Sequence, residues 1–516
     1  MENYKNPALS PEQRAADLLS RLSLEEKMAQ LTGVFIATGA DFENVKDYIG
    51  YGIGQASCLE MRTLETSEAC SALQREFQDQ VMSRSPHHIP AIFHMEGLCG
   101  PLFQDTTSFP SGIGRASSWN PELEQKIGQI VGRQEKAMGI THTLAPVLDV
   151  ARDSRMGRQG ETYGEDPTLC AAMGSAYAAG VQSGEVDGRH TDAVAKHFLG
   201  FHQGAGGIHG SYADIPARSL REIFAKPFQA AITESGLKGI MPCYCNINGE
   251  PVHGSKALLT DLLRDEMGFE GVVFSDYGGV SNIHEAQHAA EDMVLAGAMA
   301  LEAGMDSENP MPSCYNENLI QYIRDGKLDE AYVDRAVLRI LTAKFRMGLF
   351  ERPYALTGEA LAQQLHNDQD REVSLQSARE SLILLKNDSV LPISKTVKKI
   401  ALIGGQAVNA RIFFGGYTHL SMEEGAYAAK SSMAGVKPQP WQTGVIRPSP
   451  ELPSSRMIIP SLMLFCNGRS RGVRAFWSSC KATCRTPRSF GPMAIPSRVM
   501  TAATMPQLWK LAGTLI

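Results

Sequence analysis

The sequence predicts an α/β protein, with a (β/α)8 barrel of the TIM type followed by the start of a second α/β domain. Between residues 30 and 310, short apolar runs alternate with segments of helical periodicity, which is typical of a parallel sheet. About eight strand–helix units fit into this length, as a closed barrel requires. An open doubly wound sheet with similar loops would give the same alternation, so the pattern alone leaves that alternative open.

Eight apolar runs are predicted as the strands of the barrel. They span residues 30–37, 52–59, 90–97, 141–150, 192–200, 237–249, 271–279 and 298–306. Helical periodicity fills most of the intervals between them, for example at 121–139. Two capping boxes, Ser10 with Gln13 and Ser23 with Glu26, predict two helix starts before the first strand.

A second domain is predicted after a barrel domain of residues 1–350. Residues 351–370 are predicted as a linker, and residues 371–435 as the start of the second domain. Within it, residues 374–388 have helical periodicity, and KKIALIGG at 398–405 is an apolar strand that runs into a glycine turn. A helix followed by such a strand indicates that another α/β unit begins here.

Residues 436–516 differ in character from the rest of the chain. They contain eleven Lys or Arg residues and one acid, Glu451, and so carry +10, whereas residues 1–435 carry −17. Strand–helix alternation stops, and three of the four tryptophans lie here, although disordered tails are usually poor in tryptophan. A basic tail can contact nucleic acid. We instead interpret the segment as an atypical basic tail that need not be ordered, with the hypothesis that it is an out-of-frame or otherwise altered end.

The composition is that of a globular protein, with 43% hydrophobic and 20% charged residues. The N-terminus lacks a basic-then-apolar signal pattern, and no run approaches the roughly 18 apolar residues of a membrane span. The ten cysteines are scattered. The close pairs Cys243/Cys245 and Cys480/Cys484 lack the doubled CxxC spacing of a zinc site, so we expect reduced thiols and a cytoplasmic location.

Polar side chains follow the predicted strands at the end where a barrel forms its active site. They are Glu96, Asp149, Arg152, Lys196, His197, Tyr244, Asn246 and Asp276. Acids, bases and hydroxyl groups without a metal-type cluster suit a polyhydroxylated ligand. Lys196 and Arg158 are expected to supply the positive charge that keeps such acids ionised at neutral pH.

The stretch GFEGVVFSDYGG, residues 268–279, ends an apolar strand in the carboxylate of Asp276. A buried carboxylate is costly without partners, so catalysis is one interpretation and a helix cap or turn is the other. Lys196 with His197 fits a structural ion pair equally well. His197, His202 and His209 lie in a glycine-rich loop with loose spacing, so no metal site is expected.

Five motifs follow one another in a fixed order, and the resemblance that they carry covers about residues 10–425. They are ARDSRMGRQGETYGEDP (151–167), AKHFLG (195–200), RSLREIFAKPF (218–228), CYCNINGEP (243–251) and GFEGVVFSDYGG (268–279). Together they resemble glycoside hydrolase family 3, the group of β-glucosidases, β-xylosidases and related exo-glycosidases. The resemblance implies a barrel domain followed by an α/β sandwich, of which only the start is recognisable here, with the sugar bound where the two meet.

The resemblance also implies roles for single residues. Asp276 matches the nucleophile that attacks the anomeric carbon in retaining hydrolysis. The implied sugar-binding residues are Glu96, Arg158, Lys196, His197 and Tyr244, with Tyr277 as a wall of the subsite. The family's acid/base is usually a glutamate in the second domain, and Glu423 and Glu424 match no motif for it, so this residue stays unassigned. His202 is a poor replacement, because KHFLGFHQG lacks the proline of the branch that uses a histidine. No cofactor and no metal are implied.

The expected function is that of an exo-acting retaining β-glycosidase that removes terminal β-D-glucosyl or β-D-xylosyl residues from small oligosaccharides or glycosides. The alternative is a truncated, weakly active or inactive sugar-binding homologue that lacks the acid/base glutamate. Glu96 stands where a shorter Asp is usual, which favours a pentose by crowding the C6 side. No nucleic-acid or membrane partner is expected, and the sequence leaves the oligomeric state open.

Overall fold

The computed structural model describes residues 2–37, 42–402, 414–428 and 498–501. The chain divides into two compact units. The first comprises Met1–Ser381 and Gly416–Gln442, and the second comprises Leu382–Gly415 and Thr443–Ile516. The domain boundaries predicted at 350, 370 and 435 stay predictions.

The first unit contains ten strands among its described residues. They are β1 (Gly33–Phe35), β2 (Gln55–Ser57), β3 (Ile92–Met95), β4 (His142–Thr143), β5 (Asp192–Phe198), β6 (Tyr212–Ala213), β7 (Gly239–Pro242), β8 (Asn246–Ile247), β9 (Glu250–Pro251) and β10 (Val272–Val273).

Helices fill the intervals between the strands. They are α1 (Pro11–Leu19), α2 (Leu24–Gln30), α3 (Ser67–Arg84), α4 (Gly112–Ala116), α5 (Pro121–Ala137), α6 (Pro167–Ser183), α7 (Ala217–Ser219, extended by a π-helical turn at Leu220–Phe224), α8 (Lys226–Ser235), α9 (Ala257–Glu266, π-helical), α10 (Asn282–Glu285), α11 (Met293–Ala303), α12 (Glu317–Arg324), α13 (Ala331–Arg346), α14 (Gly358–Leu365), α15 (Asp368–Glu380) and α16 (His419–Ala428). Short 3-10 turns include Leu59–Thr63, Ser154–Met156, Gln159–Glu161, Phe201–Gln203 and Val252–Gly254.

Seven strands form one parallel sheet in the order β1-β2-β3-β4-β5-β7-β10. An eighth segment closes this sheet, because parallel bridges join Phe274 to Ser307 and Thr32 to Glu308. The Glu308 amide donates to the Leu31 carbonyl at 2.8 Å on one side of the segment. The Ser275 amide donates to the Ser307 carbonyl at 2.9 Å on the other side. The predicted (β/α)8 barrel is therefore confirmed, and the open-sheet alternative is excluded.

The prediction for the eighth strand was wrong over most of its length. Residues 298–303 belong to helix α11, and the strand segment lies just beyond it, at 307–308. Asp292 caps the helix by accepting from the Leu295 amide, and Gly304 ends it with φ at +105°. A short apolar run has no periodicity that separates a buried strand from a buried helix, so caps decide such a case.

Other predicted elements agree with the structure in type and differ in extent. Both predicted capping boxes are present, at Ser10/Gln13 and Ser23/Glu26. The run predicted as a strand at 141–150 contains only the two residues of β4. The helix predicted at 374–388 is displaced toward the N-terminus, because α15 already ends at Glu380.

The second unit contains one strand pair among its described residues. Lys399–Leu402 (β11), predicted within 398–405, pairs antiparallel with Arg498–Thr501 (β12). Apart from 498–501, the segment interpreted as an atypical basic tail lies outside the described residues. The seven described cysteines are free and buried, whereas the pair Cys480/Cys484 lies outside the described residues. No helix in the described part of the chain has the length and apolar character needed to cross a bilayer.

Helices α5 and α6 pack closely because glycines line their contact. A Cβ atom at Gly180 would lie 2.2 Å from the Gln125 carbonyl oxygen, and one at Gly132 would lie 2.3 Å from that of Val181. These neighbours are backbone atoms, so they cannot move aside as a flexible side chain could. The two helices therefore pack backbone against backbone at this contact.

We predict that Gly180→Ala lowers the free energy of unfolding by about 2 kcal/mol, since the added methyl group forces the two helices apart. Gly114→Ala is the matched control, because a Cβ there meets its neighbours at 3.7 Å, which is ordinary contact. Urea unfolding followed by circular dichroism measures both variants. Equal stability of the two variants would contradict the role assigned to the close glycine contact.

Candidate functional site

The carboxyl ends of the barrel strands bring the predicted site residues together in one chain of contacts. Asp276 follows β10, and its Oδ2 lies 3.6 Å from Nε2 of His197, at the end of β5. Arg158 Nη2 lies 3.4 Å from the same His197 nitrogen. Glu96, Lys196, Tyr244 and Tyr277 join this group through the contacts described below. Arg152 does not join it through a described hydrogen bond, because its Nε is directed to the Glu165 carbonyl.

The Asp276 carboxylate is held on one side and open on the other. Its Oδ1 accepts a hydrogen bond from the Tyr277 amide at 2.8 Å. Its own backbone amide donates to Nε2 of His253 at 3.2 Å. The side chain is 13% exposed, so it reaches the surface of the mouth while the strand end keeps it in place. This arrangement gives a fixed carboxylate with Oδ2 facing His197.

His197 is oriented by Asp149, which follows β4. The Asp149 carboxylate accepts from the His197 amide at 3.3 Å and contacts its Nδ1 at 2.8 Å. Burial raises the pKa of Asp149 to about 8, although the nearby Arg158 guanidinium acts in the opposite direction. Burial, together with the Arg158 and Lys196 cations, lowers the pKa of His197 well below its usual value. Asp149 thus occupies Nδ1 of His197, and Nε2 of the same ring faces the site.

Arg158 is held by Glu161, which lies in the same motif at residues 151–167. Nε and Nη2 of Arg158 donate to the two carboxylate oxygens of Glu161, each at 2.7 Å. Nη1 lies 3.3 Å from His209 Nε2. Gly157 precedes Arg158 with φ at +82°, a left-handed conformation that turns the chain so that this side chain points into the mouth. The bidentate pair fixes the plane of the guanidinium.

Lys196 pairs with Glu96, which is one of the strand-end acids, rather than with Asp276. Its Nζ donates to Glu96 Oε2 at 2.5 Å, and both side chains are buried. Burial raises the pKa of Glu96, and the Lys196 ammonium offsets part of that effect. The ring of Tyr417 lies 5.4 Å from Lys196 Nζ, and its hydroxyl lies 3.5 Å from Arg158 Nη2. Tyr417 thus connects the Glu96 side of the mouth with the Arg158 side.

Two tyrosines flank Asp276. The Tyr244 hydroxyl donates to the Tyr277 carbonyl at 2.9 Å. Burial raises the pKa of Tyr244, with a further contribution from the Asp276 carboxylate, so its hydroxyl stays a donor. The Tyr277 hydroxyl lies 2.7 Å from Ser57 Oγ and 3.1 Å from His94 Nε2, on strands β2 and β3. These contacts anchor the half-buried ring across the mouth.

The remaining residues of interest were missed or left without a role by sequence reasoning. They are Asp149, Glu161, His209, His253 and Tyr417. Asp149 had been noted at a strand end, and the motif with Glu161 had been quoted, so those two could have been found. His253 and Tyr417 contact the site across long sequence separations, and no local pattern indicates that. Among the candidates for the acid/base, Glu423 is buried in α16, and the side chain of Glu424 lies outside the described residues.

The arrangement can hold a ligand that carries several hydroxyl groups. His197 presents Nε2, Arg158 and Lys196 are donors, and Glu96 offers carboxylate oxygens. A hydroxyl group is both a donor and an acceptor, so it can satisfy such neighbours simultaneously. Asp276 lies beside these groups as a carboxylate that can act on a bound carbon atom.

Known proteins share this architecture. The sequence model described as the N-terminal domain of glycosyl hydrolase family 3 matches residues 23–343. A β-xylosidase of Formosa agariphila is 37% identical over 342 residues, which cover 63% of this chain and 47% of that protein. A periplasmic β-glucosidase of Salmonella typhimurium is 31% identical over 428 residues, covering 80% and 53%. The chain spans about half the length of the curated relatives it matches.

Solved structures agree with these sequence relatives. A β-glucosidase from Erythrobacter marinus superposes with a TM-score of 0.72 at 33% identity, covering 77% of this chain and 53% of that one. A β-glucosidase from Listeria innocua in complex with isofagomine gives a TM-score of 0.67 at 28% identity, covering 75% and 53%.

We predict that Glu161→Gln lowers the free energy of unfolding by roughly 3 kcal/mol, because it leaves the mostly buried Arg158 without its anionic partner. Asp153→Asn is the matched control in the same loop. It removes the charge from the pair with Arg155, whose side chain is 67% exposed, and should leave stability nearly unchanged. Differential scanning calorimetry compares the two variants. A similar loss of unfolding free energy in both variants would contradict the larger structural role assigned to the Arg158–Glu161 pair.

Proposed function

Because the chain belongs to glycosyl hydrolase family 3, we propose that it is an exo-acting retaining β-glycosidase. Its substrates would be small oligosaccharides or glycosides that end in a non-reducing β-D-glucosyl or β-D-xylosyl residue. The observation that carries this proposal is the position of Asp276, which lies at the mouth of a parallel barrel with Oδ2 3.6 Å from His197. The relatives named β-xylosidase and β-glucosidase support it.

The proposed reaction begins with attack by Asp276. Its carboxylate oxygen forms a bond to the anomeric carbon, and the bond from that carbon to the leaving oxygen breaks. The leaving oxygen takes up a proton from an acid. In the second step water attacks the anomeric carbon and gives its proton to the conjugate base of that acid, while the bond to Asp276 breaks and restores the carboxylate. A nucleophile must be held still and have one oxygen accessible. The Tyr277 amide on Oδ1, with Oδ2 toward the site, supports that role for Asp276.

The sugar hydroxyls are proposed to bind the groups around Asp276. These groups are Glu96, Arg158, Lys196, His197 and Tyr244, and Tyr277 would form one wall. A ring that flattens toward an oxocarbenium ion changes the positions of its hydroxyls, and fixed donors and acceptors can then bind it more tightly. The Arg158–Glu161 and His197–Asp149 pairs provide such fixation.

The acid/base residue is unassigned, and this determines which substrates are informative. An activated aryl glycoside has a leaving group that departs without protonation, so it can test attack by Asp276 in isolation. An unactivated disaccharide requires the acid. The two kinds of substrate therefore separate a complete enzyme from a sugar-binding chain that performs only the first step.

We propose the cytoplasm as the compartment, because the seven described cysteines are free and buried. The Salmonella typhimurium relative is named as periplasmic, so the periplasm is the alternative compartment. Fractionation of cells that express the native gene distinguishes the two, and recovery in the periplasmic fraction would refute this location.

We predict that Asp276→Ala lowers hydrolysis of dinitrophenyl β-xyloside and β-glucoside by at least about 10³-fold, because no carboxylate remains to attack. Asp261→Asn removes an exposed carboxylate that pairs with Lys256 and should retain full activity. Stopped-flow absorbance measures the release of dinitrophenol.

The native chain is tested for its acid/base with the same substrates and with disaccharides. A stoichiometric burst that then stalls indicates a missing acid/base, whereas steady turnover of xylobiose or cellobiose indicates a complete enzyme. Unchanged hydrolysis by Asp276→Ala would show that another residue is the nucleophile.

We predict that Glu96→Asp raises the ratio of glucoside to xyloside kcat/KM by about tenfold. The shorter side chain retracts from the pocket by one methylene, which is worth about that factor in a packed site, and makes room for a C6 hydroxymethyl group. Glu122→Asp makes the same chemical change at an exposed position of α5 and should leave the ratio unaltered. Initial rates on paired nitrophenyl glycosides give the ratio. A fall in the ratio would mean that Glu96 does not limit the C6 side.

A further inference from the structure

His253 lies behind the strand end that carries Asp276. It belongs to the 3-10 turn Val252–Gly254 between β9 and α9, and only 2% of it is exposed. Its Nε2 accepts the backbone amide of Asp276 at 3.2 Å. The Cys243 backbone, immediately after β7, also lies next to the ring. The imidazole therefore lies between two neighbouring strand ends of the barrel.

Gly279 provides the space for this imidazole. A Cβ atom at Gly279 would lie 2.1 Å from His253 Nε2 and 2.6 Å from its two adjacent ring carbons. The Gly279 amide donates to the Asp276 carbonyl at 2.8 Å, so the turn after Asp276 folds back over the ring. The lack of a side chain at Gly279 is thus required by the position of His253.

A rigid hairpin places His253 beneath the turn. Strands β8 and β9 pair antiparallel through a two-residue loop, Asn248–Gly249, with φ at +52° and +96°. Positive φ at both loop residues is typical of a type I′ turn, for which Asn-Gly is favoured. The Val252 amide then donates to the Cys245 carbonyl at 3.1 Å, which fixes the chain immediately before His253.

We propose that His253 is a positioning residue for Asp276, a role that rests on the proposed function of Asp276 as the nucleophile. By accepting the Asp276 amide, His253 fixes the peptide plane from which the carboxylate projects. Oδ1 then meets the Tyr277 amide, and Oδ2 is directed toward His197. Without this acceptor the Asp276 peptide can rotate, and the carboxylate leaves the line of attack.

The neutral form of the ring is suited to this role. Burial lowers the pKa of His253 to about 4, although the Asp276 carboxylate acts in the opposite direction. An unprotonated Nε2 is an acceptor, as the Asp276 amide requires, whereas a protonated ring would present a second donor to that amide.

The test measures how fast Asp276 is labelled, which requires neither the acid/base nor turnover. The probe is dinitrophenyl 2-deoxy-2-fluoro-β-glucoside, or the corresponding xyloside, and mass spectrometry of peptides quantifies the fluoroglycosyl ester on Asp276. We expect His253→Leu to slow labelling about 100-fold, as a misplaced reactive group does. Affinity for the free sugar, measured by calorimetry, should change by less than about threefold, because the sugar-binding side chains are untouched. His253→Gln should recover part of the rate, since its Oε1 can accept the same amide.

A double-mutant cycle examines the same contact from the opposite side. Gly279→Ala should slow labelling in the native background, because the methyl group displaces the imidazole. In a His253→Ala background the methyl group has room, so adding Gly279→Ala should cost little more. His284→Gln is the control, because this half-buried histidine contacts the Ala290 carbonyl and not Asp276.

The outcomes separate the two proposals. If the native chain is not labelled at Asp276, the proposed function fails and the role of His253 fails with it. If the native chain is labelled and His253→Leu is labelled at the same rate, the nucleophile stands and the positioning role is overturned. If the His253 variants do not fold, a folded Gly279→Ala that keeps the native labelling rate overturns the role equally.

Discussion

The closure of the parallel barrel is the constraint on which the rest of the site depends. The eighth segment has only two bridged residues, Ser307 and Glu308, yet it joins β10 to the stretch before β1. Asn309, the next residue, donates its amide to Ser275 Oγ at 2.8 Å, immediately before Asp276. Closure therefore fixes the end of β10 from both sides and sets the eight carboxyl ends in one ring. In an open sheet of the same strand order, β10 would be an edge strand four positions from β3, the strand that precedes Glu96.

Burial of charge is the second constraint, and the structure meets it by pairing. Lys196 with Glu96 and Arg158 with Glu161 are ion pairs that are mostly shielded from water. Such pairs contribute little net stability, because desolvation offsets most of their attraction, but they hold side chains in defined positions. The proposed sugar site needs this kind of order, since hydroxyls are recognised by the direction of hydrogen bonds. The pairing therefore connects the cost of burial with the capacity to bind selectively.

Much of the fold could be predicted from the sequence, because strand–helix alternation and capping boxes are local signals. The eighth strand was misplaced because its flanking residues form an alanine-rich helix, and only Asp292 and Gly304 mark the ends of that helix. At the site, strand-end position and motif resemblance identified Asp276, His197 and Arg158 correctly as neighbours. They could not identify which cation pairs with which acid. That depends on distances across the barrel, which a strand-end pattern does not contain.

Tyr417 comes from the second of the two sequence stretches that make up the first unit, and it contributes to the site. The first continuous part of this unit ends at Ser381, and the second part, which contains Tyr417, begins at Gly416. Helix α16 is fixed to the barrel because Arg62 Nε donates to the Met422 carbonyl at 3.1 Å and His419 Nε2 lies 2.9 Å from the Arg62 carbonyl. This attachment places the Tyr417 ring beside Lys196 and its hydroxyl near Arg158. The mouth of the barrel is thus completed by a segment that is distant in sequence, and the site is a property of the folded unit rather than of the barrel motifs alone.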